Sequence, residues 1–250
     1  MLTPERHQII LNILNDKKNV KIQELVEATS SSESTIRRDL SQLEKEHLLR
    51  RVHGGASTLH QTSEEPSLVE KSTKNHQSKV EIATHAANLV RNGDCIFLDA
   101  GTTTLEMIPC LKDKSITVVT NGLRHLHMLS EYGITTYVTG GYIKHKTGAL
   151  IGNAVHQSLN GFYFDLAFLG TNGVDLTAGY TTPDPEEAGL KRTALKQAEN
   201  AYILVDGSKF NEITFTKIAD IGEANIITDQ SGKLSSEPYQ EKTMIQVVSS

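Results

Sequence analysis

Tryptophan is absent from this chain of 250 residues, and aromatic residues make up only 5% of it. A binding platform built on stacked rings is therefore not expected. Cysteine is almost missing: Cys95 opens an apolar run and Cys110 closes a helical one, so both read as buried, reduced thiols rather than a disulfide framework. No stretch approaches the roughly 18 apolar residues of a membrane span, and the N-terminus MLTPERHQII lacks the apolar core of a signal peptide. A cytoplasmic protein with no membrane partner is expected. Excess positive charge is lacking too. The formal net charge is -5, so any nucleic-acid binding has to come from a local patch. The ten histidines form no zinc-type array, and His125 and His127 stand two apart on a predicted helix, so no metal site is expected.

What is present begins with Thr3-Pro4-Glu5, a hydroxyl cap, a first-turn proline and an acid suited to the positive end of a helix. Ile9, Ile10, Ile13 and Leu14 continue with helical spacing, and KKNV breaks it. A second short helix carries Ile22, Leu25 and Val26. A third runs from about Glu33 to Glu46, with Ile36, Leu40 and Leu43 as its apolar stripe. At about 100° per residue, Ser34, Arg37, Arg38, Ser41 and Lys45 fall on the opposite face, which reads as hydroxyls and cations with no acid. LLRRVHGGAST follows, an alternating basic run that turns at Gly54-Gly55. Three helices and a basic hairpin make a winged helix-turn-helix over residues 1–58, whose third helix would enter the major groove of double-stranded DNA. Ser34, Thr35, Arg37, Arg38 and Ser41 are the expected readers. Arg50, Arg51 and His53 are the expected wing contacts.

Residues 59–75 are polar, hold a proline and show no sustained period, and they read as a linker. From residue 76 to 250, short β-rich runs alternate with helices: SKVEIATHAANLV, CIFL, a helix through Leu111, ITVVT, Leu123–Ser130, ITTYV, FDLAFLG, EEAGLKRTALKQAEN, AYILV, NIIT and MIQVV. That alternation predicts an α/β domain on an open, mostly parallel sheet.

Such sheets bind ligands beyond the carboxyl ends of their strands. Here those ends read DAGTTT, TNG, TGGY, GTNG and DGSK. Hydroxyls and helix-start amides accept an anion, and glycine lets backbone come close. The DAGTTT turn has neither the GxxxxGK[ST] spacing nor GxGxxG, so nothing specific supports ATP or NAD and no cofactor is expected. The constellation suits a small phosphorylated polyol. Gly101, Thr102, Thr103 and Thr104 would hold phosphate, with Asp99, Asn121, Gly141, Asn172, Glu187, Lys191 and Lys209 around the sugar. Asp184-Pro185-Glu186-Glu187 is also a complete helix cap, and Glu187 with Lys191 a routine i, i+4 pair, so Glu187 has a structural reading of equal weight.

TIRRDL (Thr35–Leu40), with Arg6 and Ile10 upstream and RRVHGGA downstream, resembles the DeoR family of bacterial transcriptional repressors. DAGTTT, VTNG, LGTNG, TTPDPEEAGLK and VDGSKF resemble the effector-sensing domain of that family, and the resemblance runs from Met1 to about Asp229. It implies a sensing domain similar in fold to ribose-5-phosphate isomerase and related isomerases and deaminases. Within the family, SESTIRRDLS, GDCIFLDAGTTT and GYTTPDPEEA are most similar to members that govern fructose operons, which implies fructose 1-phosphate as effector. A homodimer or homotetramer would set paired heads on repeated half-sites. The competing reading is a sugar-phosphate isomerase or deaminase with an accessory DNA-binding head, using Asp99 or Glu187 as base. No base here has a defined orienting partner, and a DNA-reading head serves no isomerase, so the chain reads as a non-enzyme without catalytic residues. A head that only dimerises is a third, weaker alternative.

Overall fold

Ile10 and Leu14, one helical turn apart, are both buried on α1 (Thr3–Lys17), and that stripe seeds the first of two units into which the chain divides, Met1–Glu64 and Glu65–Ser250. The structure is a computed structural model that describes residues 2–17, 19–46, 48–52, 54–58 and 67–248. In the first unit, β1 (Asn19–Lys21) leads into α2 (Ile22–Thr29). Ser30, in the left-handed conformation at φ 50, ends α2 and turns the chain toward α3 (Glu33–Lys45). The Ser32 hydroxyl caps α3 by accepting from the Thr35 amide at 3.3 Å. Hairpin β2 (Leu49–Val52) and β3 (Gly55–Thr58) follow. KKNV was expected only to break a helix; instead Asn19–Lys21 pairs antiparallel with β3 and makes the hairpin a three-stranded sheet, ordered β1-β3-β2. Gly55 is the point of closest approach, since a Cβ there would lie 2.1 Å from the Val20 carbonyl oxygen. Ile10, Leu14, Ile22, Leu25, Ile36, Leu40, Leu43 and Leu49 form one buried core.

The second unit starts before residue 76. Within the expected linker lies α4 (Leu68–Thr73), whose capping box joins Ser67 and Glu70. Then come α5 (His76–Leu89), β4 (Cys95–Leu98), α6 (Thr102–Leu111), β5 (Thr117–Thr120), α7 (Leu123–Glu131) and β6 (Thr135–Val138). A hairpin, β7 (Tyr142–Lys144) and β8 (Ala149–Ile151), leads through α8 (Asn153–Leu159) to β9 (Phe164–Gly170). Next are β10 (Gly173–Asp175), β11 (Gly179–Thr182), α9 (Pro185–Lys196), β12 (Ala198–Leu204), β13 (Thr216–Ala219), β14 (Asn225–Thr228) and β15 (Ile245–Val247). The helix expected through Asn200 stops at Lys196, because Ala198 already pairs with Phe164 in the β12–β9 ladder. Sheet pairing overrides the helix propensity of that stretch.

The principal sheet has seven parallel strands ordered β15-β14-β12-β9-β4-β5-β6. Ile96 and Leu98 of β4 pack into one buried cluster and Phe97 into another, so the strand is covered on both faces. That explains its unbroken apolar run CIFL. The chain moves outward from β4 through β5 to β6, returns to lay β9 beside β4, and then moves outward the other way. The gap between β4 and β9 is the topological switch point. The two cysteines differ from the expectation: Cys95 is half-buried and Cys110 exposed, both free. Cys110 lies in the last turn of α6, where the apolar stripe has passed to Ile108 and Leu111. No helix among the described residues is long and apolar enough to cross a membrane.

Candidate functional site

On α3, Ile36, Leu40 and Leu43 face the core, while Ser34, Arg37 and Arg38 are exposed and Thr35 and Ser41 half-buried. The exposed face is not free of acid. Arg37 bonds the Glu33 carboxylate at 2.6 Å, one turn back and equally exposed. Such an exposed pair is worth little. Arg51 on the wing donates from Nη1 to the Ser41 hydroxyl at 2.7 Å, and its amide donates to Glu44 Oε1 at 2.7 Å, which ties β2 to α3. Arg50 is half-buried, and His53 lies outside the described residues. Arg38 has no recorded ion pair or hydrogen bond among the described residues, so its guanidinium is the most available on this face.

Sequence reasoning missed Asp39. It is 3% exposed on the inner side of α3, where Arg6 donates to it from Nε at 2.5 Å and from Nη2 at 3.0 Å, and His7 lies 3.2 Å away. Burial alone would raise the Asp39 carboxyl, but the bonds from Arg6 and His7 outweigh it and hold the group below its ordinary range. The pair fixes α1 against the helix that carries Arg37 and Arg38.

In the second unit, the switch point opens into a cleft of about 140 Å³. At ~10–15 Å³ for each water position, that is room for about ten waters, the scale of a small polar ligand. Asp99 follows β4 and is almost fully buried. Its Oδ2 accepts from the Gly170 amide at the end of β9 at 3.0 Å and from the Lys191 ammonium of α9. Three elements therefore meet on one carboxylate. Glu187 was expected as a possible helix partner of Lys191; instead its Oε1 accepts from Lys144 at 3.0 Å and from the Thr147 hydroxyl at 2.9 Å. The β7–β8 hairpin supplies both donors. Asp184 caps α9 by accepting from the Glu186 and Glu187 amides at 2.8 and 3.1 Å, and it also binds Lys144 at 2.7 Å.

Asp99, Gly101, Thr102, Thr103, Asn172, Glu187, Lys191 and Lys209 line this cleft. Thr102 and Thr103 open α6, where first-turn amides lack intrahelical acceptors and favour an anion. The structure places Thr104, Asn121 and Gly141 elsewhere. Thr104 is fully buried, and its hydroxyl donates to the Asp99 carbonyl at 2.5 Å while accepting from the Gly101 amide at 3.1 Å. Asn121 is fully buried as well; it accepts from the Ala100 amide at 3.0 Å and donates to the Leu150 carbonyl at 3.3 Å. Both shape the turn from beneath. Gly141 sits at φ +97 against β8, where a Cβ would come 2.4 Å from the Ile151 carbonyl oxygen.

His125 is another buried support. Its Nε2 lies 3.1 Å from the Thr104 hydroxyl, and its Nδ1 has no hydrogen-bond partner among the described residues. Burial lowers its pKa to about 4 despite the nearby Asp99. Since the Thr104 proton goes to the Asp99 carbonyl, the neutral ring donates from Nε2 and leaves Nδ1 bare.

Several lining residues were not foreseen: Glu70, Lys71 and Lys74 on or just after α4, Lys79 on α5, Thr147, and Asp206. Two had a readable signal. Lys79 stands in register with Ile82, Ala83 and Ala86, so the helical stripe carries it inward, and it is 6% exposed. Ser67 and Glu70 have the spacing of a capping box. Five lysines, Lys71, Lys74, Lys79, Lys191 and Lys209, line the cleft against Glu70, Asp99, Glu187 and Asp206. Asp99 and Glu187 are already committed to Lys191 and Lys144, so the balance favours an anionic ligand.

Comparison with known proteins follows the same division. Residues 6–62 match the model of the DeoR-like helix-turn-helix domain, and residues 74–230 match that of the DeoR C terminal sensor domain. An HTH-type transcriptional regulator, FruR, of Bacillus subtilis, itself described as uncharacterized, is 54% identical over 99% of both chains. A lactose phosphotransferase system repressor of Staphylococcus epidermidis is 30% identical over 98% of each. The ribose 5-phosphate isomerase A of Methanocaldococcus jannaschii aligns with a TM-score of 0.42 at 20% identity, covering 54% of this chain and 55% of that one. At that score the likeness carries no functional inference.

Proposed function

This chain belongs to the DeoR family of helix-turn-helix transcriptional regulators, and from that premise we propose that it represses a fructose-utilisation operon and leaves its operator when the cleft takes up fructose 1-phosphate. The single observation that carries the reading is the composition of the switch-point cleft. One wall offers the α6 amides with the Thr102 and Thr103 hydroxyls, and lysines outnumber the uncommitted carboxylates. Asp99 and Lys191, both buried, and the half-buried Asn172 add groups able to bond sugar hydroxyls. A phosphorylated sugar satisfies both halves, and a neutral sugar only one. The relative described as a lactose phosphotransferase system repressor supports a role tied to sugar supply.

On DNA, Ser34, Thr35, Arg37, Arg38 and Ser41 read bases and phosphates, and Arg50, Arg51 and His53 hold the backbone. A homodimer or homotetramer presents two heads to half-sites one helical turn apart. The effector weakens operator binding by binding the released state more tightly than the bound one. Linkage requires the reverse as well, so operator DNA lowers affinity for the effector by the same factor. The test is a gel-shift with the upstream region of the protein's own operon and a panel of sugar phosphates. Fructose 1-phosphate is expected to release the DNA and free fructose to leave it bound. An equal response to both, or to neither, overturns the effector assignment.

A further inference from the structure

The helix α4 is the first element of the sensor unit, and the chain that precedes it comes from the DNA-reading head. It is short, yet both of its ends are tied to elements around the cleft. The Leu68 amide donates to the Lys146 carbonyl in the β7–β8 turn at 3.2 Å. At the far end, Asn75 Nδ2 donates to Asp206 Oδ1, just after β12, at 2.9 Å. Lys79 of α5 reaches under the helix and donates to the carbonyls of Lys71 and Lys74, the latter at 2.8 Å. The helix also packs on α6, and Leu68 lines a small void beside Thr102 and Leu105.

This placement gathers four ammonium groups, those of Lys71, Lys74, Lys79 and Lys209, along one part of the cleft wall. Burial lowers the pKa of Lys209, and Lys74 and Lys71 lower it further; burial lowers Lys79 likewise, and Lys209 and Lys71 add to it. Asp206, Glu106 and Glu212 oppose these effects only in part. Asp206 is already bonded to Asn75 and to the Ser208 amide and hydroxyl, and Glu70 to the Ser67 amide and hydroxyl. Four ammonium groups on one part of the wall give a dianion several charged donors at once.

We infer that Lys71 and Lys74 of α4, with Lys79 and Lys209, hold the phosphoryl group of the ligand opposite the amides of Thr102 and Thr103, and that α4 is the element that registers occupancy. The inference rests on the sugar-phosphate reading of the cleft and assigns the contact that links it to the rest of the chain. With the cleft filled, α4 is clamped by its own lysines. With it empty, those contacts to the ligand are absent. The helix next in sequence to the head therefore has two states of different stability, which is what a reporting element requires.

The test uses the full-length protein. Hydrogen exchange of residues 67–75 is followed with inorganic phosphate and with fructose 1-phosphate, and calorimetry compares the wild type with Lys71→Gln plus Lys74→Gln. The expected result is slowed exchange in α4 with either anion. The double variant should bind fructose 1-phosphate about tenfold more weakly or worse, the scale of a lost charge-assisted hydrogen bond. Unchanged exchange with ligand bound, or wild-type affinity in the double variant, overturns the role of α4, even if fructose 1-phosphate still releases the operator. Protection of α4 by inorganic phosphate, in a protein whose operator binding ignores every sugar phosphate, keeps the lysine site and overturns the proposed function instead. Should the double variant fold poorly, exchange in the wild type decides alone.

Discussion

The Lys191 ammonium on α9 donates to the Asp99 carboxylate at the end of β4, and both side chains are buried in the cleft wall. The same Oδ2 accepts the Gly170 amide from β9. This carboxylate is therefore already held by a cation and a backbone donor, which suits a fixed acceptor for ligand hydroxyls better than a base that must take up a proton.

Breaking that pair from one side leaves a buried charge alone. Asp99→Ala and Lys191→Met are each expected to destabilise the sensor unit by about 3–5 kcal/mol, with the double variant well below the sum. Urea unfolding of the four proteins measures the coupling. Additive losses would mean that the two groups act independently. Turnover assays on the wild type with pentose and hexose phosphates should show no conversion. Conversion abolished by Asp99→Ala would make the protein an enzyme.

Arg38 is exposed without a recorded partner among the described residues, whereas Arg37 must first leave Glu33. Arg38→Ala is expected to weaken operator binding by about 1–3 kcal/mol if it reads a base, or to lower the salt slope by about one if it meets a phosphate. Anisotropy titrations at several salt concentrations separate the two. Binding unchanged at every salt concentration removes Arg38 from the interface.

Arg6 and Asp39 lock α1 to α3. Asp39→Asn is expected to destabilise the head by roughly 2–4 kcal/mol, at or below the usual cost of splitting a buried pair. Folding depresses the Asp39 pKa from its ordinary 3.8. Its contribution is therefore complete above that value and fades as pH falls through the lower folded value. Acid melts of the wild type and Asp39→Asn should converge in that range. Parallel curves down to the lowest pH would argue against the pair.

His125 gives the sensor unit a pH dependence of its own, in a milder window than that of Asp39 in the head. Its pKa falls from 6.5 to about 4 on burial, so the unfolded chain binds a proton that the folded chain refuses. Stability is full above 6.5 and declines as pH drops toward about 4, by about 3 kcal/mol in all. His125→Gln should flatten melting temperature against pH across that window. Thr104→Val, which removes the hydroxyl bonded to His125, Asp99 and Gly101, should lower stability by roughly 1–3 kcal/mol at every pH. A wild-type slope retained in His125→Gln would assign the dependence to another group.

Local patterns carried the reading of the head a long way. The Ile36, Leu40 and Leu43 stripe, the Gly54-Gly55 turn and the basic wing are all set by residues within a few positions of one another. Asp39 escaped because its partner Arg6 lies 33 residues away, and no period marks a buried acid. The strand β1 escaped because three residues become a strand only through pairing with β3. In the larger unit, LDAGTTT was readable as a strand end leading to a helix start. Thr104 and Asn121 were grouped with the ligand contacts because one sequence segment gives no sign of which hydroxyl or amide turns inward.

By itself the sequence determined the two-part organisation, the helix with one apolar and one polar, cationic face and the glycine turns at strand ends, because periodicity, caps and turns are local properties of the chain. Tertiary structure decided which polar groups share the cleft. The return of β9 beside β4 brings Lys191 to Asp99 across 92 residues, turns Glu187 toward Lys144, and sets α4 and Lys79 beside Lys209. Those choices depend on strand order and burial, which desolvate some charges and pair others, and neither is written in any single stretch of residues.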